Sequence, residues 1–169
     1  MDFEIIKPAD IEKRSFAIIT EELGDRVFPE EIGLVVKRVI HTSADFDYAD
    51  NLVFSEGAVP RALEAIRNGA HIVTDTNMVK AGINKKTLAK FGGEVHCFVA
   101  DADVAEEAKQ RGVTRSTVSM ERAAKLDVPV IFAIGNAPTA LIELDRLMRE
   151  QDLKPELIIG VPVGFVNVV

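Results

Sequence analysis

The residues best suited to chemistry are gathered in one stretch, His41-Thr42-Ser43-Ala44-Asp45-Phe46-Asp47-Tyr48, where an imidazole sits among hydroxyls and carboxylates. Such a group can give or take a proton near neutral pH. The run before it, Pro29 to Ile40, places Ile32, Val35, Val36, Val39 and Ile40 on one face of a helix, so His41 falls in that helix's last turn. The partial negative charge at a helix C-terminus favours the imidazolium, while burial against Phe46 and Tyr48 opposes it. Two roles stay open on these residues alone: a proton donor, or a helix-ending side chain that fills space or bonds a last-turn carbonyl.

A second candidate is the turn Gly135-Asn136-Ala137-Pro138-Thr139, which follows an apolar run and opens a helix with proline in its first turn. Free backbone N–H groups and the positive helix end would suit a carboxylate or phosphate there; an ordinary strand-to-helix turn is the alternative. No Gly-x-Gly-x-x-Gly fingerprint or Walker phosphate loop occurs, which argues against the usual dinucleotide and ATP sites. His41, His71 and His96 lie in different segments, so no close metal-ligand cluster is expected. Asp101 and Asp103 read as a solvated loop and helix start. Cys97 reads as mid-strand and no Gly-x-Ser-x-Gly elbow is present, leaving no evident nucleophile. Arg111 and Arg115 flank a helix start, and Arg115 could clamp a carboxylate or simply be a surface arginine.

The elements that must position these groups follow from the apolar pattern. Two helices come first: one from Pro8-Ala9-Asp10 to Gly24, with Ile11, Phe16, Ile19 and Leu23 as its stripe, and one from Pro29 to His41. Five apolar runs then alternate with helical patterns: Leu52–Phe54, Ile72–Thr74, Val95–Val99, Val130–Ile134 and Leu157–Val161. The intervening helices span Val59 to Asn68, Lys85 to Lys90, Val104 to Arg111, Ser116 to Leu126 and Pro138 to Gln151. Continuous apolar runs alternating with helices predict an α/β fold, a three-layer doubly wound parallel sheet of five strands preceded by two helices. In such sheets ligands bind beyond the carboxyl ends of the strands.

With 169 residues and 47% hydrophobic content, one well-buried domain is expected. A net charge of −7 argues against a nucleic-acid partner. The lone cysteine and the lack of a leader or long apolar span predict a soluble, cytoplasmic protein with no membrane partner.

Several stretches taken together resemble the precorrin-8X methylmutase family of cobalamin biosynthesis. They are Arg14-Ser15-Phe16, His41 to Phe46, Thr74-Asp75-Thr76-Asn77-Met78-Val79 with Gly82-Ile83, Thr114-Arg115-Ser116, Gly135 to Leu141, and Gly160 to Asn167. Their order and spacing cover essentially the whole chain. The resemblance implies a flavodoxin-like sheet and a homodimer with its site near the subunit interface, with His41 as the main catalytic group. It implies migration of a methyl group from C-11 to C-12 of a corrinoid substrate by an acid-assisted 1,5-sigmatropic shift. No protein-bound cofactor or metal is implied, because any cobalt would be carried by the substrate. Substrate-binding positions are expected at Arg14 and Ser15, at Thr42 and Ser43 beside the histidine, and at Thr74, Asp75, Thr76 and Met78. Arg115 and Ser116, then Gly135, Asn136, Ala137 and Thr139, and finally Gly164 and Phe165 complete the set. Family members continue past Phe165 to Val169 with a charged and glycine-rich region, so a missing C-terminal segment is expected. A non-catalytic tetrapyrrole- or nucleotide-binding module of flavodoxin type is the rival reading.

Overall fold

The computed structural model describes residues 6–164 and 166, and they divide into two units, one ending at Pro60 and one beginning at Arg61. In the first unit a 3-10 turn at Pro8–Asp10 leads into α1 (Ile11–Leu23), which stops at Gly24 with φ 57°. Pro29 caps α2 (Glu30–Ser43), whose first turn carries Glu30 and Glu31 against the positive helix end. The two helices pack through Ile19 and Leu23 of α1 and Val36 and Ile40 of α2, all buried, with Phe28, Ile32, Phe46 and Ala49 closing around them. Each such side chain contributes about 1.5–3 kcal/mol by leaving water. A short helix, α3 (Tyr48–Asn51), follows.

The expected first strand, Leu52–Phe54, is not one. Leu52 and Phe54 turn into the helical core while Val53 is 93% exposed, and no neighbouring strand pairs with them. An in-out-in pattern over three residues served packing on helices instead of sheet pairing.

α4 (Ala58–Arg67) crosses into the second unit, whose remaining elements are β1 (His71–Thr74), α5 (Asn77–Gly82), α6 (Lys85–Leu88), β2 (Val95–His96), α7 (Ala102–Arg111), α8 (Arg115–Ala123), β3 (Val130–Ile134), α9 (Pro138–Gln151) and β4 (Leu157–Gly160). Among the described residues the sheet has four strands, all parallel, in the order β2-β1-β3-β4. The chain therefore steps outward from β1 to β2 and then returns past β1 to β3. In doubly wound sheets such a reversal marks where the ligand crevice opens, here the carboxyl ends of β1 and β3. The pairing registers Ile72 with Val95 and Ile131, and Thr74 with Ala133.

Alternation along the strands gives each sheet face its own core. Val73, Val130, Phe132 and Ile134 meet Met120 and Ala123 of α8 and Ala140, Leu144 and Leu147 of α9. On the other face, Ile131, Ile72 and Leu157 meet Ala65 and Ile66 of α4. The run Val95–Val99 pairs only over Val95–His96. Beyond it the chain turns, with the Phe98 carbonyl accepting the Asp101 N–H, so Cys97 lies past the strand and not within it. Among the described residues no helix is long and apolar enough to cross a membrane.

Candidate functional site

In the helical unit, α2 ends at Ser43, and Ala44 just after it adopts a left-handed conformation (φ 57°, ψ 27°) with its N–H bonded to the Ile40 carbonyl. His41 is half-buried in that last turn. Its aromatic neighbour is Phe16 of α1, with ring centroids 5.5 Å apart, in place of the expected Phe46 and Tyr48. The guanidinium of Arg38 lies over the same Phe16 ring at 4.8 Å and reaches Glu12 at 2.8 Å. That hydrogen bond, more than the charge itself, holds the Glu12 carboxyl below the usual range, and His41 adds a smaller pull in the same direction. The imidazole thus stands one turn from an ion pair and against a ring clamped by that pair.

The neighbouring hydroxyls face inward on their own helix. Thr42 Oγ1 donates to the Arg38 carbonyl and Ser43 Oγ to that of Val39, both at 2.9 Å. Their protons are therefore committed, although Ser43 Oγ also accepts the Asp45 N–H at 3.2 Å. Arg14 is exposed and Ser15 half-buried on α1. Phe16, Leu34, Val35, Arg38 and Val39 line an open groove of about 310 Å³ on this unit.

In the sheet unit, the crevice is dominated by a residue that faces inward. Asp75 is 0% exposed. Its Oδ1 accepts the Gly135 N–H at 3.1 Å, and its Oδ2 accepts those of Asn136 and Ala137 at 2.8 and 2.7 Å. This corrects the expectation that these donors are free for a ligand: the turn before α9 already holds a carboxyl group, and that group belongs to the chain. Thr74 is likewise 0% exposed, its single hydroxyl proton lying between the carbonyls of Thr76 and His96 at 3.0 and 3.2 Å. Neither side chain presents polar atoms to solvent. Both pin the loop after β1 to its neighbours.

The loop after β1 also forms a helix where a loop was expected. Thr76 Oγ1 caps α5 by accepting the Val79 N–H, and Met78 projects from its first turn, 82% exposed. α5 sits so close to the end of β3 that a Cβ on Gly135 would lie 2.8 Å from Val79 Cγ2. Across the crevice, Thr114 Oγ1 caps α8 and reaches Thr139 Oγ1 at 3.3 Å, joining the starts of α8 and α9. Arg115 is exposed at the first position of α8, Ser116 is buried behind it, and Asn136 and Gly164 are exposed. Phe165 lies outside the described residues.

Arg111, named from sequence, is taken up by the fold, as are Arg146 and Arg122. Arg111 forks onto both oxygens of Glu121 at 2.5 and 2.7 Å and also reaches Glu107. Arg146 joins the same Glu121 from α9 and pairs with Glu143 and Glu150, so a charge network laces α7, α8 and α9 together. Asp101 and Asp103 both bind Arg122, which also lies over the Phe98 ring.

One grouping contradicts the sequence expectation outright. His71 Nδ1 and His96 Nε2 are 2.8 Å apart, the rings are stacked with centroids 5.0 Å apart, and Glu94 joins them in a potential ligand set. Burial, then the nearby His71, push the His96 imidazole below its ordinary range. The signal was available in the parallel register, which sets Val73 beside His96 and so puts His71 and His96 on one face of adjacent strands.

Comparison with known proteins bears on the whole chain. The family model for precorrin-8X methylmutase matches residues 10–169. The cobalt-precorrin-8 methylmutase of Priestia megaterium is 48% identical over 96% of this chain and 72% of its own length. The enzyme of that name from Salmonella typhimurium is 42% identical over 96% of this chain and 79% of its own. Among solved structures, the precorrin-8x methyl mutase from Thermus thermophilus superposes with a TM-score of 0.83 at 39% identity, covering 94% of this chain and 78% of that one. The chain belongs to the precorrin-8X methylmutase family of cobalamin biosynthesis, and it is an intramolecular methyl-transfer isomerase.

Proposed function

We propose that the enzyme moves a methyl group from C-11 to C-12 of precorrin-8X or its cobalt form, giving hydrogenobyrinate or cobyrinate, with His41 as the proton donor. The observation that carries the assignment is the His41 imidazole itself, half-exposed at the end of α2 and backed by Phe16 under the Arg38–Glu12 pair. The cobalt form is favoured because the relatives at 42–48% identity carry that name, with others of that name at 34–37%, while proteins named for precorrin-8X lie at 36–39%.

In a 1,5-sigmatropic shift the C-11–methyl bond breaks as the C-12–methyl bond forms, and the double bonds of the macrocycle relocate. No electron leaves and no nucleophile is consumed. An imidazolium that lends a proton to the conjugated ring near the migrating centre, and recovers it afterwards, lowers the barrier without appearing in the balance. General acid assistance of this kind is worth about 10²–10⁴-fold.

The substrate is a flat polyacid and the chain carries net charge −7, so recognition rests on local donors. Arg115 is exposed and makes no ion pair among the described residues, unlike Arg122 on the same helix and Arg111 and Arg146 on α7 and α9. Thr139, Thr76, Arg14 and Ser15 are the further candidates. We also read the strand order as the beginning of a flavodoxin-like sheet, in a cytoplasmic homodimer.

The test is to mix the protein with an excess of the precorrin-8 substrate and follow its absorption. Full conversion of the excess is expected; a spectral shift that stops at one equivalent would favour a binding module. His41→Ala should bind and fail to convert, and conversion by that variant near the wild-type rate would overturn the assignment. Arg115→Ala should weaken binding by about tenfold or more, the scale of a charge-assisted hydrogen bond, while His41→Ala leaves binding less affected.

A further inference from the structure

The His71–Glu94–His96 group lies among none of the residues assigned to the rearrangement, and its geometry points elsewhere. His71 stands at the start of β1, His96 at the end of the two-residue strand β2, and Glu94 immediately before β2. In the parallel pairing Val73 is opposite His96, which sets Glu94 opposite His71 and directs all three side chains to one face. One ligand atom from each lies within 4.8 Å of the other two. Phe98 also stacks with His96, with ring centroids 6.0 Å apart and 14° between planes, so that imidazole has two ring neighbours.

We propose that His71, Glu94 and His96 bind a divalent transition-metal ion of the zinc class, which ties the short edge strand β2 to β1. Two imidazoles and one carboxylate are the donor set that Zn²⁺, Co²⁺ or Ni²⁺ prefer, whereas Ca²⁺ and Mg²⁺ take oxygen. The geometric adjustment is small. Metal–nitrogen bonds of about 2.0–2.1 Å at a tetrahedral angle set the two nitrogens about 3.3 Å apart, roughly half an ångström wider than their present 2.8 Å. The proton that the facing nitrogens now share moves to the outer nitrogen of its own ring, a change of tautomer that frees both lone pairs and releases nothing. Glu94 is exposed, so its carboxylate can close from solvent and the fourth position remains for water. Lys80 is the opposing charge: it acts on His96 as a cation would, and Glu94 offsets it.

The experiment uses the full chain, dialysed against chelator and then titrated with Co²⁺ and with Zn²⁺. The expected result is a single ion per chain, visible ligand-field bands of low-coordinate Co²⁺ that Zn²⁺ abolishes, and a melting temperature raised by Zn²⁺. His71→Ala and His96→Ala should each weaken binding by more than about 100-fold, beyond the 10–100-fold that loss of a supporting partner causes. Glu94→Gln should lose less, Lys80→Gln should bind more tightly, and His41→Ala should bind as the wild type does. If a histidine variant fails to fold, the imidazole resonances of the wild type decide: addition of Zn²⁺ must shift those of His71 and His96 and leave that of His41. Absence of saturable binding, binding that survives loss of both histidines, or a shift confined to His41 overturns the proposal. None of these outcomes touches the assignment of the methyl shift, which is read by substrate conversion.

Discussion

Replacing Asp75 with asparagine tests whether the crevice is built around an internal anion. The amide keeps one acceptor oxygen where the carboxylate had two. In its better orientation that oxygen serves Asn136 and Ala137, and the NH₂ is driven against the Gly135 N–H. One buried donor is then unsatisfied, at about 1–3 kcal/mol. The two surviving bonds lose their charge assistance, about 0.5–1 kcal/mol each, and α9 loses a negative group at its N-terminus, worth about 0.3–1 kcal/mol. The side chain is 0% exposed, so solvent cannot replace what is lost. The total is about 2–6 kcal/mol, a large part of the 5–15 kcal/mol that holds a typical domain folded. With a urea slope of about 2 kcal/mol per molar, a mid-range loss lowers the unfolding midpoint by about 2 M. Amide exchange at Gly135, Asn136 and Ala137 should accelerate beyond that of β3. A midpoint within about 0.3 M of wild type, with those three amides still protected, would refute the reasoning.

Three further outcomes are expected. Ala44 sits in the left-handed region that ends α2, so Ala44→Gly should stabilise by about 0.5–1 kcal/mol in thermal or urea unfolding; no gain would mean that its neighbours, not the cap, fix this turn. The fork from Arg111 holds the Glu121 carboxyl below its ordinary 4.5, so the native state binds that proton less readily than the unfolded chain. The resulting stability is complete above about pH 4.5 and is lost as pH falls through the depressed value; Glu121→Gln should therefore be less stable than wild type at pH 7 and converge with it in acid. Gly135→Ala should destabilise by about 1–3 kcal/mol by pressing on Val79, and Val79→Ala should recover part of that loss in a double-mutant cycle; simple additivity would count against the contact.

What the sequence disclosed, it disclosed through periodicity. The stripe from Ile32 to Ile40 became α2, with His41 in its last turn, and the apolar runs at 72–74, 130–134 and 157–160 became three of the four strands. Leu52–Phe54 failed because three residues cannot distinguish strand alternation from two side chains tucked beneath helices. α5 failed for lack of length, although Thr76 three residues before Val79 was a capping signal. The role of Asp75 could not be read at all. Its partners lie 60–62 positions away in another loop, and an acidic residue after a strand has the same composition whether it faces a ligand or its own backbone. The histidine pair was hidden for a related reason, since 25 residues separate its members and only the parallel register brings them together.

These internal pairings bear on how an acidic protein can hold a polyacid. A helix N-terminus after a strand is the usual anion site of a parallel sheet, and here the turn that leads into α9 gives the N–H groups of Gly135, Asn136 and Ala137 to Asp75. A substrate carboxylate placed at that turn would find those three donors already taken by Asp75. Arg111 of α7 and Arg146 of α9 are equally committed, each forked onto glutamates of the helix layer, and Arg149 of α9 pairs with Asp145. Positive charge for an incoming carboxylate on this unit is therefore left to groups such as Arg115, which the Thr114 cap fixes at the start of α8 without neutralising it. If the fold has spent its most favourable anion site on its own loop closure, selectivity among polyacids depends on where a few exposed guanidinium groups stand. Removing that charge with Arg115→Ser should then cost more affinity, read by absorption titration of the substrate, than adding a lysine elsewhere on the surface can restore.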